Sequence, residues 1–186
     1  MQGSPAFAPD DEQLACRAQQ GCAASFEELV RRYQVPVVQF LRRMGAGADA
    51  EDLFQETCVR AYRNLHRYRS QWRFATWMFT IARRLRINQA RRRVSVSNAE
   101  RLESVPAGAP GPLEIAVREE GRERLWAAAA RILSEEETAA VWLHYVEDRS
   151  ARETAAVLGR SWMAVKSMLF RARRRLLALL RESDYV

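Results

Sequence analysis

The chain has little of what metal, disulfide or membrane chemistry needs. Its three cysteines, Cys16, Cys22 and Cys58, form an odd set without a C-x-x-C spacing, so no disulfide framework or thiolate metal site is indicated. The two histidines, His66 and His144, sit in different regions and complete no zinc pattern. Reduced thiols and structural histidines are expected, with no metal and no cofactor. No apolar run reaches the roughly 18 residues of a membrane span. The first ten residues lack a basic flank followed by an apolar stretch, so no membrane insertion is expected and a cytoplasmic chain is the default. Strand formers are scarce, with four Ile and five Thr, and Gly and Pro number only eight and six. An all-α protein follows as the expectation. No Ser/His/Asp set and no phosphate-cradling glycine loop is visible, which leaves an enzyme without residues to name.

Lysine is almost missing as well. Of 30 basic residues 29 are Arg and one is Lys166, and against 23 acids they leave a net charge of +7. Arg forks suit phosphate and base-edge recognition, though a GC-rich genome produces the same bias. The charge is unevenly placed. Residues 57–99 hold 11 Arg and no acid, residues 114–153 hold ten acids against six Arg, and residues 160–181 hold seven basic groups and again no acid. Two basic segments therefore flank an acidic one, and an anionic partner is favoured.

Apolar spacing predicts the helices. Ser25-Phe-Glu-Glu28 has the form of a capping box, followed by Phe26, Leu29, Val30, Tyr33, Val37, Phe40, Leu41 and Met44 at helical intervals, with Pro36 as a kink. Gly45-Ala-Gly47 ends that helix. Asp49 can cap a second through Leu53, Cys58, Ala61 and Leu65, and a third runs through Trp77, Ile81 and Leu85. Residues 94–113 carry Pro106, Pro110, Pro112, Gly108 and Gly111 without periodicity and are expected to be a flexible linker. At about 3.3 Å per residue it could reach roughly 60 to 70 Å, about two turns of duplex DNA at roughly 34 Å each. Beyond it Ser134-Glu-Glu-Glu137 is another capping box, before Val141, Trp142 and Tyr145. The expected architecture is two small helical domains, residues 10–93 and 114–182.

Three constellations carry chemistry. Residues 150–175 have the layout of a helix-turn-helix, with a short helix at 152–158, a turn at Gly159 and a second helix from Ser161. That second helix should bury Val165, Leu169, Ala172 and Leu176 and present Lys166, Ser167, Phe170, Arg171 and Arg174, with Trp162 at the boundary. Such a face offers donors for base edges and phosphates, and equally fits a solvated basic side of a helical hairpin. In residues 67–93, Tyr68, Trp72, Phe74, Trp77 and Phe79 are interleaved with Arg67, Arg69, Arg73, Arg83, Arg84, Arg86 and Arg91 to Arg93. Aromatics among arginines are what a single strand needs, bases stacking on rings while guanidinium groups hold the backbone. Trp77 fits a core position with Ile81, whereas Trp72 and Phe74, nearer the loop, are the candidates for bases. Third, Asp52, Gln55 and Glu56 share a helix face inside an otherwise basic half. Complementing a helix N-terminus equally accounts for Asp49 to Asp52, and for Glu56 less well, because the effect fades beyond the first turn.

Together these segments resemble bacterial sigma factors of the extracytoplasmic-function group. The resemblance covers about residues 10–180 and rests on Asp49-Ala-Glu-Asp-Leu-Phe-Gln-Glu56, Phe74-Ala-Thr-Trp-Met-Phe-Thr-Ile-Ala-Arg83 and Ala164-Val-Lys-Ser-Met-Leu-Phe-Arg-Ala-Arg173. It implies a transcription initiation factor rather than an enzyme. Asp52, Gln55 and Glu56 would dock on the β′ clamp of core RNA polymerase. Trp72, Phe74, Arg83 and Arg84 would lie near the opened minus-ten strand of promoter DNA. Lys166, Ser167, Phe170 and Arg171 would read the minus-thirty-five element, with the second domain packed on the β flap and the linker threading the enzyme. An anti-sigma factor is expected by the same resemblance. The chain departs from the family at Arg84, where Asn is usual, at Asn88, where Asp is usual, and at Arg149, Arg160, Ala164 and Met168. Two other readings are a helix-turn-helix regulator acting without polymerase and a helical adaptor that binds only protein. The acidic face argues against the first, and the acid-free run of arginines against the second.

Overall fold

Among the described residues, 9–97 and 125–182 of a computed structural model, every regular element is helical. Helix α1 (Asp11–Gln19) starts at Asp10, whose carboxylate accepts from the Gln13 amide at 2.7 Å. Helix α2 (Ala23–Arg43) starts earlier than the Ser25 box predicts. Cys22 is its N-cap, and Ser25 is buried in the first turn with its hydroxyl donating to Cys22 Sγ at 3.2 Å. Glu28 is thereby free to pair with Arg31 and Arg32. Pro36 lies inside α2, which continues to Arg43.

A 3-10 turn (Gly47–Asp49) leads into α3 (Ala50–Asn64), and a second (Leu65–Arg67) opens the loop before α4 (Phe74–Ser97). Asp49 precedes α3 without a side-chain cap; its carboxylate instead accepts from Gln89 at 2.8 Å and pairs with Arg93. Helix α4 runs to Ser97, through the first four residues of the expected linker, and residues 98–113 of it lie outside the described residues.

The second half comprises α5 (125–132), α6 (Glu135–Val141), α7 (Ala151–Leu158) and α8 (Trp162–Glu182). The Ser134/Glu137 box forms as predicted, and a second box, Ser150/Glu153, starts α7. Each such cap contributes on the order of 1 kcal/mol. Helix α6 continues into a π turn (Trp142–Val146). Gly159 ends α7 at φ +60°, a left-handed conformation that a side chain would strain.

Both halves bury apolar faces. Val37, Phe40, Leu41 and Phe79 fill the first, and Leu143, Leu158, Val165 and Ala172 the second. The two cores meet where α4 packs on α7 and α2 on α6. Arg43 lies over the Trp126 and Trp142 rings at 5.3 and 5.6 Å. Buried Arg86 donates to the Met44 and Gly45 carbonyls at 2.8 and 3.0 Å. Gly45 has φ +72°, which favours glycine, and a Cβ there would come within 3.0 Å of the Glu135 carboxylate and 3.1 Å of the Arg86 guanidinium, which would have to shift.

Candidate nucleic-acid interface

The exposed faces build three sites. On α3, Asp52, Gln55 and Glu56 are all exposed on one side. Glu56 accepts from Arg60 one turn on at 2.6 Å, and Glu51 pairs with Arg42 of α2. Asp52 and Gln55 complete an exposed acidic strip between these pairs.

The second site is the loop before α4. Trp72 is 61% exposed. Its carbonyl accepts from the Tyr68 hydroxyl at 2.7 Å, while the Tyr68 ring is buried edge-on against Phe74, with ring centres 5.4 Å apart. Burial pushes the Tyr68 phenol well above its ordinary range, so it stays a donor at any physiological pH. Phe74 is fully buried against Tyr33, Tyr68 and Trp77. Its ring is core in this conformation and offers no face to a base, contrary to the expectation from sequence. Trp77 packs against the core as predicted, yet keeps an edge on a groove of about 270 Å³ with Ile81, Arg60, Asn64, Arg67 and Arg84. An indole and an isoleucine rimmed by guanidinium groups match the stacking and backbone needs of a single strand.

Arg83 and Arg84 part ways. Arg84 is exposed on the groove. The Arg83 side chain is only 17% exposed and faces Glu136 of α6 at 3.5 Å. Glu136 also receives a two-pronged donation from Arg160, at 2.8 and 2.9 Å. Those hydrogen bonds, with the Arg160 and Arg83 charges, hold the Glu136 carboxyl below its ordinary range, while burial disfavours the charged form of Arg83. Arg73 approaches Glu153 of α7 at 3.5 Å. The acidic middle segment thus clasps the basic helix of the first half. Sequence reading assigned Glu136 only to a capping box, because its partners lie 53 and 24 residues away.

The third site is α8. Val165, Leu169 and Ala172 are buried, Leu176 packs partly against the core, and Lys166, Ser167, Phe170 and Arg171 are exposed. Phe170, 63% exposed, is flanked by Arg174. Lys166 Nζ sits 4.8 Å from the Trp162 ring centre, and Arg171 donates to the Ser167 hydroxyl at 2.8 Å. Cations over rings and a buried underside make this stripe a pre-ordered basic and aromatic ridge. Met168 is buried, so an arginine there would enter packing instead of meeting a phosphate.

Among the described residues no helix is long and apolar enough to cross a membrane, and no cluster of His, Cys, Asp or Glu could hold a metal. Two family models match the chain, sigma-70 region 2 over residues 29–95 and sigma-70 region 4 over residues 124–176. It is 34% identical over 173 residues to the ECF RNA polymerase sigma factor BldN of Streptomyces coelicolor, covering 90% of this chain and 65% of that protein. Identity to the ECF RNA polymerase sigma-E factor of Escherichia coli K12 is 31% over 173 residues, covering 88% of this chain and 90% of that one. CnrH, solved in complex with the cytosolic domain of CnrY, superposes with a TM-score of 0.69 at 27% identity over 94% of this chain and 99% of CnrH. Sigma factor RpoE, solved with the anti-sigma factor NepR from Bartonella quintana, gives 0.65 at 25% identity over 85% of this chain and 99% of that one.

Proposed function

The chain belongs to the extracytoplasmic-function group of RNA polymerase sigma factors, and from that premise we propose how its surfaces divide the work of promoter-specific initiation. The observation that carries the reading is the α8 ridge, where Lys166, Ser167, Phe170 and Arg171 stand exposed over buried Val165, Leu169 and Ala172. An exposed helix face of this charge suits the major groove of the minus-thirty-five duplex, with the remainder of the domain at 114–182 resting on the β flap. Asp52, Gln55 and Glu56 dock on the basic side of the β′ clamp, a use for acids in a half otherwise hostile to them.

The minus-ten strand meets the domain at 10–93. Trp72 stacks on an unpaired base, and Arg84 with the Trp77 groove holds the neighbouring backbone. Arg83 joins them once Glu136 lets go. Phe74 supports this surface from below. Residues 94–113 then join two domains that must separate to reach both elements. An anti-sigma factor is a further partner, because CnrH and RpoE, which share this chain's two-region fold, were solved with the cytosolic domain of CnrY and with NepR respectively. The chain acts in the cytoplasm, without catalysis of its own.

The test is run-off transcription with core polymerase and this chain as the sole added factor on genomic fragments. Discrete, factor-dependent transcripts are expected. Specific duplex binding without any transcript would point instead to a helix-turn-helix regulator that works without polymerase.

A further inference from the structure

We propose that Gln19 and Glu12 of α1 are positioning residues for promoter opening, holding the loop at residues 65–73 so that Trp72 is presented in one pose. The inference rests on the reading of Trp72 as the ring that stacks on an unpaired base. Neither α1 residue has to touch DNA.

The loop has little reason to hold its shape alone. Leu65 and Tyr68 anchor its first half, but Arg67, Arg69 and Arg73 crowd like charge within it, it contains no acid, and Trp72 at its tip is mostly exposed. An exposed ring on a wandering loop must be ordered when it captures a base, which weakens capture. The structure removes that freedom at both ends. Gln19, the last residue of α1, donates through its single amide nitrogen to the Leu65 and Tyr68 carbonyls, each at 2.8 Å. Those carbonyls bracket the Leu65–Arg67 turn. At the other end Glu12 accepts from the Phe74 backbone amide at 3.0 Å, one of the amides that a helix start leaves without an internal partner. A carboxylate there also complements the helix dipole.

Between the two struts the Tyr68 hydroxyl donates to the Trp72 carbonyl. Tyr68 is therefore tied by its backbone to Gln19 and by its side chain to Trp72. Glu12 and Gln19 are seven residues apart, two turns of one helix, and so act from a single rigid face. These bonds span 46 to 62 residues of sequence, which is why no local pattern announces them. Gln19 is exposed, so replacing it leaves no cavity and perturbs the core little.

The experiment uses the full chain with core polymerase and follows base unstacking with a 2-aminopurine in the minus-ten region of a duplex promoter, beside core affinity and initiation from a pre-melted bubble. Gln19→Glu keeps the shape and removes both donated bonds, and Glu12→Ala removes the acceptor. Each is expected to slow opening by about three- to tenfold, the range one hydrogen bond commands, with core affinity unchanged and a smaller loss on the bubble. Glu12→Gln retains an acceptor oxygen and is expected to open near the wild-type rate. Equal losses in core affinity and on bubble templates would mean that the struts only help the domain fold, and would overturn the proposal. So would a Glu12→Gln variant as slow as Glu12→Ala. Trp72→Ala is the reference. If it opens duplex normally, the reading of Trp72 is wrong; if it is slow while Gln19→Glu and Glu12→Ala are not, the positioning role alone is wrong.

Discussion

Helices α4 and α8 look alike in sequence and differ in the fold. Both are arginine-rich with aromatics at their starts, and neither holds an acid before Glu182, the last residue of α8. On α8 Lys166, Arg171 and the Phe170 ring stand exposed, while Arg175 is tied back to the Ile132 carbonyl and Glu137. On α4 the first ring, Phe74, is sealed in the core, and Arg83 is held by an acid of the opposite half. The difference teaches that charge and aromaticity mark a nucleic-acid segment, while neighbours decide which members of it are on offer. Under the proposed roles the readiness is unequal, since the α8 ridge is exposed as it stands whereas Arg83 of α4 must first leave Glu136.

The contrast breaks most visibly at Phe74 and Trp72. Phe74→Ala is expected to destabilise the fold by about 3 to 5 kcal/mol, the loss for a buried aromatic, measured by denaturant unfolding. Trp72→Ala should leave unfolding within about 0.5 kcal/mol of the parent and weaken capture of opened strand by about 1 to 3 kcal/mol. If Phe74→Ala unfolds normally and fails only on DNA, the ring is not core. The acidic face of α3 borders α4, where Glu56 shares a groove with Asn88 and Arg92, and tests whether a third surface acts independently of the basic helices. Asp52→Arg with Glu56→Arg should cost several kcal/mol in core polymerase affinity by competition binding, with binding of the isolated chain to minus-thirty-five duplex intact.

On α8, Lys166→Ala or Arg171→Ala is expected to do one of two things. Either preference at one base relaxes, at about 1 to 3 kcal/mol, or all sequences weaken and the salt slope falls by about one. Titration of upstream duplex at several salt concentrations separates the two, and wild-type behaviour in every variant would remove α8 from the groove. The same assay sharpens the place of Met168. Because it is buried, Met168→Arg should lower thermal stability without a salt-dependent gain in affinity.

The smallest effect concerns the clasp. Glu136 and Glu153 are held below the ordinary carboxylate range: burial pushes Glu153 the other way, but Ser150 hydrogen bonds and nearby arginines outweigh it, as Arg160 does for Glu136. Depressed carboxyls add stability above their unfolded range and lose it as pH falls through their folded values. Contacts between α4 and α6–α7 should thus be complete at neutral pH and loosen in acid. Hydrogen exchange on α4 is expected to rise below the ordinary carboxylate range, and to rise at neutral pH in Glu136→Ala. Unchanged exchange in that variant would show that apolar packing alone joins the halves.

How much was legible depends on how far each signal reaches. The helices, the Ser134 box, the Gly159 turn and the buried underside of α8 follow from intervals of three and four residues, and a helix repeats on that scale. Ser25 failed because the helix already begins one turn earlier at Cys22, which makes no side-chain cap and so leaves no box signal to read. Phe74 failed because its register sets a face but not what covers that face; Tyr33 and Tyr68 do so from other elements.

The sequence by itself determined an all-α chain, the placing of its basic and acidic blocks and the stripe on α8, since each rests on backbone periodicity and charge that travel with the residues. Only the tertiary structure decided that Arg83 answers to Glu136, that Met168 is buried, and that Gln19 and Glu12 brace a loop far along the chain. A hydrogen bond or ion pair needs its partners within about 3 to 4 Å, and nothing in a linear spacing of 46 or 53 residues supplies that distance until the helices have packed.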